Sequence, residues 1–284
     1  MVNSTVGMLY QNIKETLKLA GIENFKQEAS LLLCKVCGLH SYQIATKSDM
    51  LVEEEKITVI ENFVDRRKNG EPLQYILGEW EFFGLDFKVG EGVLIPRQDT
   101  ETLVEVAIDY AKEFDNPTIA DLCSGSGCIA ISLEKNINKS NVFAVELSEK
   151  AINYLNKNIE ENNSNAKIIS GDVCKKKTLE KLPKLDIIVS NPPYLTTDEM
   201  NVLQREVQFE PSMALVAGDD GLDFYRKISS MWYEKLNQNG IIAFECGINQ
   251  HQSIKEIFEQ NGYIDICFKE DLCGIIRVVS ARKK

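Results

Sequence analysis

Residues 118–133 read TIADLCSGSGCIAISL, and this stretch decides the fold class. A short apolar run (118–122) is followed by a glycine-rich turn (123–127) and then by residues that predict the start of a helix. Small residues in such a turn let the backbone approach a ligand closely, and doubly wound sheets bind ligands at the carboxyl ends of their strands. The stretch therefore predicts a strand, a ligand-binding loop and a helix.

The alternation of apolar strands and amphipathic helices continues from about residue 93 onward. Further strand-like runs occupy residues 141–145, 167–170, 185–190, 240–245, 263–268 and 275–280. Helical segments separate most of these runs, which predicts an α/β fold with a mostly parallel, doubly wound sheet covered by helices on both faces. The last two runs lie too close together for a crossover helix, so one of them must run antiparallel.

The first 75 residues have a different pattern, because apolar residues recur there at steps of three and four and no convincing strand is present. Aromatic and β-branched residues then surround Gly84, which predicts a hairpin. We therefore divide the chain into a helical domain over residues 1–75, a β-hairpin linker over 76–92 and an α/β domain over 93–284.

Composition and charge narrow the class of protein. The 284 residues are 44% hydrophobic and 26% charged, which is typical of a globular protein. No apolar run approaches a membrane span, and the first five residues lack the parts of a secretory signal, so we predict a cytoplasmic protein without a membrane partner. The net charge of −11 weighs against a protein that grips nucleic-acid phosphates.

The eight cysteines lie within apolar segments and not at the spacings of a disulfide framework. Cys34 and Cys37 form a lone CxxC, and neither His40 nor His251 has a partner at ligand spacing. We therefore predict free thiols and no metal.

The glycine-rich turn does not by itself identify the cofactor. Residues 125–130 also fit the dinucleotide pattern G-x-G-x-x-A, so the loop alone indicates NAD nearly as well as S-adenosylmethionine, and a tight turn without a ligand is a third alternative. Glu146 ends the following strand, where a carboxylate can hold both hydroxyls of a ribose. After the third strand, Asp172 can accept from an adenine amino group and Val173 can pack against the ring.

The run 185–190 ends in Asn191-Pro192-Pro193-Tyr194. Two prolines fix two φ angles and remove two backbone donors, which gives a rigid strand end that we call the lip. The Asn191 side-chain oxygen and the Pro192 carbonyl can accept both N–H bonds of a planar NH₂ group, while Tyr194 can stack on that group. Because such a nitrogen is a poor nucleophile, its methylation needs positioning more than a strong base. An enzyme that transfers hydride has no evident need for such a lip. The lip therefore favours S-adenosylmethionine over NAD as the cofactor.

The lip, with the glycine-rich loop upstream, resembles amino-group methyltransferases that modify exocyclic adenine nitrogens or side-chain amides. Three further segments are similar to those of the release-factor glutamine methyltransferases, the PrmC/HemK family. LIPRQDTE at 94–101 resembles the family's PRxDTE element, EPLQYILG at 71–78 its PxQYIxG segment, and VQFEPSMAL at 207–215 its FEPxxAL element. The resemblance covers nearly the whole chain and is weakest in the first 70 residues.

This resemblance implies a seven-stranded class I (Rossmann-like) methyltransferase sheet and a helical domain that recognises the substrate. It implies methyl transfer from S-adenosylmethionine to the side-chain amide nitrogen (N5) of the glutamine in the Gly-Gly-Gln motif of class I peptide chain release factors, with S-adenosylhomocysteine as the product. The implied donor contacts are Cys123, Ser124, Gly125, Ser126, Gly127, Glu146, Asp172, Val173 and Asn191. The implied catalytic residues are Asn191, Pro192 and Tyr194. The implied substrate contacts are Arg97, Asn191, Pro192, Pro193 and Tyr194.

Some positions depart from the family pattern or allow two interpretations. Cys123 stands where many members carry Gly, so we expect no positive φ there. Val173 stands where many bacterial members have an aromatic residue. Arg97 either contacts the substrate or forms a salt bridge with Asp99 or Glu101.

The sequence is also compatible with other functions. An N6-adenine nucleic-acid methyltransferase would share the chemistry of the lip, but the stretch between residues 195 and 240 is short and rich in acidic side chains, which makes it a poor recognition element for a flipped base. We therefore expect no direct nucleic-acid binding. An NAD-dependent oxidoreductase and a non-catalytic adaptor are the remaining alternatives.

Overall fold

A computed structural model of the protein describes residues 4–202 and 205–284. The chain forms two compact units, Met1–Gly78 with Arg205–Phe209, and Glu79–Gln204 with Glu210–Lys284. The predicted domains therefore include five positions, 1–3 and 203–204, that lie outside the described residues.

The first unit is helical, as the spacing of apolar residues predicts. Its helices are α1 (Val6–Leu19), α2 (Phe25–Cys37), α3 (Gln43–Thr46), α4 (Glu54–Lys68) and α5 (Leu73–Leu77). The Thr5 side chain caps α1 by accepting from the backbone N–H of Met8. Near the end of α4, the buried Arg67 side chain pairs with Glu28 at 2.6 Å and with Glu206 at 3.0 Å, so segment 205–209 is tied to the helices by an ion pair.

The second unit begins with the hairpin that the sequence predicts around Gly84. Strands β1 (Glu79–Phe82) and β2 (Leu85–Lys88) are antiparallel. The two turn residues both have positive φ, 53° at Phe83 and 75° at Gly84, and a two-residue turn of this kind matches the twist of the flanking strands. The buried Asn158 side chain bonds to the backbone of Lys88 and to the carbonyl of Ser126, which ties the hairpin to the glycine-rich loop.

The main sheet has seven strands, all parallel except the last one in the chain. They are β3 (Thr118–Leu122), β4 (Asn141–Glu146), β5 (Lys167–Ser170), β6 (Leu185–Ser190), β7 (Leu236–Glu245), β8 (Tyr263–Glu270) and β9 (Ile276–Lys283). Their order in the sheet is β5-β4-β3-β6-β7-β9-β8, and β9 is antiparallel to both of its neighbours. The predicted fold class is confirmed. The order reverses between β3 and β6, which is where ligands bind in open α/β sheets.

Helices cover both faces of this sheet. They are α6 (Glu101–Ala111), α7 (Cys128–Asn136), α8 (Glu149–Glu161), α9 (Lys176–Glu180), α10 (Asp223–Trp232) and α11 (His251–Gln260). Successive residues of β6 face opposite sides, because Ile187 and Val189 pack under α6 and α7 while Ile188 packs under α10 and α11. Each such fully buried side chain contributes about 1.5–3 kcal/mol, so burial on two faces fixes the strand register. Among residues 4–202 and 205–284, no helix has both the length and the apolar character needed to cross a membrane.

Candidate active site

A cleft of about 450 Å³ lies in the second unit, where β3, β4, β5 and β6 end. This volume is in the range of small-molecule sites. Ten predicted site residues line the cleft: Arg97, Cys123, Ser124, Gly125, Ser126, Glu146, Asp172, Val173, Asn191 and Pro193. The other three predicted site residues, Gly127, Pro192 and Tyr194, do not belong to its lining.

The glycine-rich loop corrects one expectation from the sequence. Cys123 has a φ of 62°, so the expectation that this position needs no positive φ is wrong. The chain turns immediately after β3, and the next residue, Ser124, donates its N–H to the carbonyl of Val145 at 3.1 Å. This turn requires the left-handed conformation, although a residue with a Cβ pays about 1–2 kcal/mol for it. Burial raises the pKa of the Cys123 thiol well above its ordinary value, so the thiol stays protonated.

Gly127 is a glycine for reasons of packing. It precedes the first residue of α7 with a φ of 82°, and a Cβ there would lie 2.2 Å from Cδ1 of Leu155 on α8. Its place outside the cleft lining agrees with this explanation. The geometry therefore gives Gly127 a role in holding α8 close to the loop, and direct contact with a ligand at this position stays a prediction.

The Glu146 carboxylate organises the loop from the end of β4. One oxygen accepts from the Gly125 N–H at 2.8 Å, and the other accepts from the N–H groups of Leu147 and Ser148, both at 2.7 Å. A carboxylate has roughly four lone-pair sites, so one acceptor site remains after these bonds. Glu146 can thus hold one further hydroxyl group without losing a backbone partner.

Asp172 and Val173 lie at the end of β5, and both line the cleft. Asp172 accepts from the N–H of Cys174 at 2.8 Å, and the Val173 carbonyl accepts from the indole of Trp232 at 2.9 Å. These bonds fix the backbone of the turn. The Asp172 carboxylate and the apolar Val173 side chain are therefore held at the same side of the cleft.

The lip brings Asn191 to the cleft. The Asn191 Nδ2 atom donates to Oγ1 of Thr100 at 3.2 Å, which leaves Oδ1 available as an acceptor. Tyr194 is not part of the cleft lining: its carbonyl accepts from Gln250 at 2.9 Å, and its ring lies against Gly247 after β7. Burial raises the pKa of the Tyr194 hydroxyl to about 12, so it is neutral. Stacking of Tyr194 on a substrate stays a prediction.

Arg97 forms an ion pair that the sequence does not suggest. Its guanidinium pairs with the buried Glu210 carboxylate, and Glu210 also accepts from the N–H of Ile95 at 3.0 Å. Asp99 instead pairs with Arg277 at 2.8 Å, and Glu101 accepts from the N–H of Phe83. The alternative of a salt bridge between Arg97 and Asp99 or Glu101 is therefore wrong. Arg97 lines the cleft, and its contact with the substrate stays a prediction.

Sequence reasoning missed Glu245, the last residue of β7. It is 2% exposed, and its Oε2 atom has no hydrogen-bond partner in the described part of the chain. Burial raises the pKa of this carboxyl to about 7, although the neighbouring Thr100 side chain and the Arg277 charge act to lower it. An acidic residue that ends a buried strand at the same edge as Asn191 is the signal that could have identified it.

Asp121 is a further buried carboxyl, and it lies in the strand that precedes the loop. Asp121 is fully buried in β3, and its Oδ2 atom accepts from the N–H of Ala130 at 3.2 Å. Burial raises the pKa of Asp121 to about 8. As for metals, the described residues contain no group of three or more His, Cys, Asp or Glu side chains arranged to hold an ion.

Comparisons with known proteins match this architecture. The family model described as the PrmC N-terminal domain matches residues 9–78, and the model described as the methyltransferase small domain matches residues 99–212. A release factor glutamine methyltransferase from Fusobacterium nucleatum is 39% identical over 97% of this chain and 78% of its own length. The protein of that name from Clostridium botulinum is 38% identical over 94% of this chain and 95% of its own length.

Solved structures show the same fold at low identity. A methyltransferase from Pyrococcus furiosus has a TM-score of 0.51 at 20% identity and covers 81% of this chain and 99% of that chain. The hMettl16 catalytic domain, in complex with MAT2A 3'UTR hairpin 6, has a TM-score of 0.56 at 17% identity and covers 82% of this chain and 83% of that chain. At these identities the likeness extends to the fold alone.

Proposed function

Because this chain belongs to the release factor glutamine methyltransferase family, we propose that it methylates the side-chain amide nitrogen (N5) of the glutamine in the Gly-Gly-Gln motif of class I peptide chain release factors. The observation that carries the proposal is the orientation of Asn191. Its Nδ2 atom is engaged by Thr100, so its Oδ1 atom can accept from an amide NH₂ group in the cleft.

The residues of the cleft fit S-adenosylmethionine as the donor. The volume suits a ligand of this size, and Glu146 keeps one acceptor site for a ribose hydroxyl. When bound, the donor supplies a methyl group on a positively charged sulfonium. Residues 123–126 would hold its methionine part, Glu146 its ribose, and Asp172 and Val173 its adenine.

The lip would act on the glutamine by positioning. An amide nitrogen is a weak nucleophile because its lone pair is delocalised into the carbonyl. Asn191 Oδ1 and the Pro192 carbonyl would accept its two N–H bonds, which orients the nitrogen and draws electron density towards it. A neutral Asn191 suits a neutral acceptor, since an aspartate would place an additional charge beside the substrate.

The direct test uses purified protein, labelled S-adenosylmethionine and a class I release factor. We expect label in the release factor, and mass spectrometry should locate the methyl group on the Gly-Gly-Gln glutamine. A release factor with glutamate at that position should remain unlabelled. Label on the adenine of added DNA, with none on the release factor, would refute the proposal.

Asn191→Ala separates the proposed role of the lip from donor binding. We expect turnover to be abolished while the affinity for S-adenosylmethionine changes less, because Asn191 mainly orients the acceptor. Asn156→Ala, at an exposed position of α8, is the control and should retain wild-type turnover. An equal loss of donor affinity and turnover in Asn191→Ala would contradict the assigned role.

We further propose that residues 1–75 recognise the release factor, residues 76–92 link the domains, and residues 93–284 transfer the methyl group. The match of residues 9–78 to the PrmC N-terminal domain supports the first assignment. Tyr42 and Leu51 are 70% and 60% exposed on this unit. We expect their joint replacement by Ser to raise KM for the release factor without changing the affinity for S-adenosylmethionine, and an unchanged KM would contradict a docking face at these two residues. The predicted cytoplasmic location and the absence of direct nucleic-acid binding belong to the same proposal.

A further inference from the structure

We infer that Asn158 sets the affinity for the amino acid part of the methyl donor by fixing the peptide plane between Ser126 and Gly127. Asn158 lies on α8, is fully buried and does not belong to the lining of the cleft, so it acts through the loop and is a positioning residue. The inference rests on the proposed function, because it uses the assignment of residues 123–126 to the methionine part of S-adenosylmethionine.

The partners of Asn158 determine the orientation of its side-chain amide. The Oδ1 atom accepts from the N–H of Lys88 at 2.6 Å, and the Nδ2 atom donates to the carbonyls of Lys88 at 3.1 Å and of Ser126 at 2.8 Å. An amide NH₂ group has two protons, so both are used. Because a backbone N–H can only donate, the oxygen of the amide must face Lys88, and the NH₂ group must face the two carbonyls.

The bond from Asn158 holds one side of a peptide in the glycine-rich loop. It directs the Ser126 carbonyl towards a side chain on α8 that lies outside the cleft lining. The N–H of the same peptide belongs to Gly127 and donates to the Ser124 carbonyl at 2.8 Å. Ser126 is 2% exposed, so water does not readily replace either bond. The peptide plane is therefore fixed before a ligand enters the cleft.

Gly127 makes this peptide sensitive to the loss of Asn158. Its φ is 82°, and a glycine adopts negative φ about as readily as positive φ, so the backbone itself does not hold the peptide in place. Without Asn158 the buried Ser126 carbonyl has no donor, which favours other orientations of the peptide. A ligand that binds only the original arrangement then loses affinity in proportion to the fraction of molecules that keep it.

The test measures equilibrium binding of two ligands by calorimetry: S-adenosylhomocysteine, and methylthioadenosine, which has the adenosine but no amino acid part. In Asn158→Ala and Asn158→Leu we expect Kd for S-adenosylhomocysteine to rise about 10-fold, with Kd for methylthioadenosine within about 2-fold of wild type. Leu keeps a branched side chain at the position, so a loss in both variants is not the effect of a cavity. In turnover, KM for S-adenosylmethionine should rise about 10-fold and KM for the release factor should stay within about 2-fold.

Asn162→Ala is the matched control. Asn162 follows α8, and its Nδ2 atom donates to the Asp86 carbonyl of the same hairpin at 3.0 Å. Asn158 bonds to this hairpin and to the loop, whereas the bonds of Asn162 do not reach the loop. The affinities of Asn162→Ala for both ligands should therefore equal those of wild type.

Wild-type affinity for S-adenosylhomocysteine in Asn158→Ala, or equal losses for the two ligands, would overturn the inference. If neither Asn158 variant folds, solvent exchange of the side-chain NH₂ protons in the wild type decides the question. Those of Asn158 should exchange more slowly than those of Asn162, and slower still with S-adenosylhomocysteine but not with methylthioadenosine; exchange as fast as in Asn162 would also overturn the inference. A wild type that binds S-adenosylhomocysteine but does not methylate release factors would refute only the proposed function, and one that does not bind it would refute both.

Discussion

Replacement of Gly127 by Ala tests how strongly packing against α8 requires a glycine at this position of the loop. The new Cβ would take a φ of 82° and would lie 2.2 Å from Cδ1 of Leu155. The left-handed backbone costs about 1–2 kcal/mol for a residue with a Cβ, and overpacking of a core adds about 1–3 kcal/mol. We therefore expect the free energy of unfolding to fall by about 2–5 kcal/mol. Each kcal/mol should lower Tm by roughly 2–4 °C for a protein of this size.

Gly84→Ala is the control, because Gly84 has a φ of 75° and a Cβ there would meet nothing within 4 Å. Gly84→Ala should lower the free energy of unfolding only by the cost of the left-handed backbone, about 1–2 kcal/mol. Thermal and urea unfolding of both variants gives the difference. In a Leu155→Ala background the penalty of Gly127→Ala should shrink by about 0.5–3 kcal/mol, since the clashing methyl group is gone. Equal penalties for Gly127→Ala and Gly84→Ala, or an unchanged penalty in that background, would refute the packing argument.

Three other substitutions probe the site. Glu146→Gln should weaken S-adenosylmethionine binding by at least about 10-fold in calorimetry, because a charged acceptor is lost, while the exposed Glu149→Gln should not. The pKa of Asp121, raised to about 8, means that the folded state keeps a proton that the unfolded state releases at a lower pH, so stability falls as pH rises towards 8. We expect Asp121→Asn to reduce this decrease in the free energy of unfolding by at most about 1.4 kcal/mol for each pH unit. Urea unfolding at about pH 5 and about pH 7.5 measures the decrease in wild type and variant. The same decrease in both proteins would contradict the raised pKa of Asp121. Arg97→Ala should lower the free energy of unfolding by about 1–3 kcal/mol, because it leaves a buried carboxylate short of a donor, whereas the exposed ion pair of Arg226 should contribute less than about 1 kcal/mol.

Local sequence pattern accounts for the features that depend on neighbouring residues. Apolar runs followed by small residues or prolines locate the ends of β3 and β6, so the loop at Ser124 and the lip at Asn191 could be predicted to meet at one edge of the sheet. The hairpin around Gly84 follows from the same kind of local signal, a glycine between two short runs of strand-forming residues.

Features that depend on distant partners could not be predicted in this way. The residue that pairs with Arg97 lies 113 positions away, and nothing near Arg97 indicates it. The positive φ of Cys123 follows from the turn after β3 that lets Ser124 bond to Val145 of the neighbouring strand β4, and cysteine itself carries no signal for it. Glu245 lies at the same edge of the sheet as Asn191 because the sheet order places β7 beside β6.

The position of β9 has a consequence for the order in which the molecule folds. Strand β8 is made before β9 but is joined to the sheet only through it. In β9, Val278 pairs with Glu245, and the adjacent Arg277 contacts Asp99. Pairings between distant segments form slowly, because the intervening chain must first be closed into a loop. A molecule in which β9 has not yet paired therefore also lacks β8 in its sheet, and Asp99, beside the cleft residue Arg97, still lacks its partner Arg277.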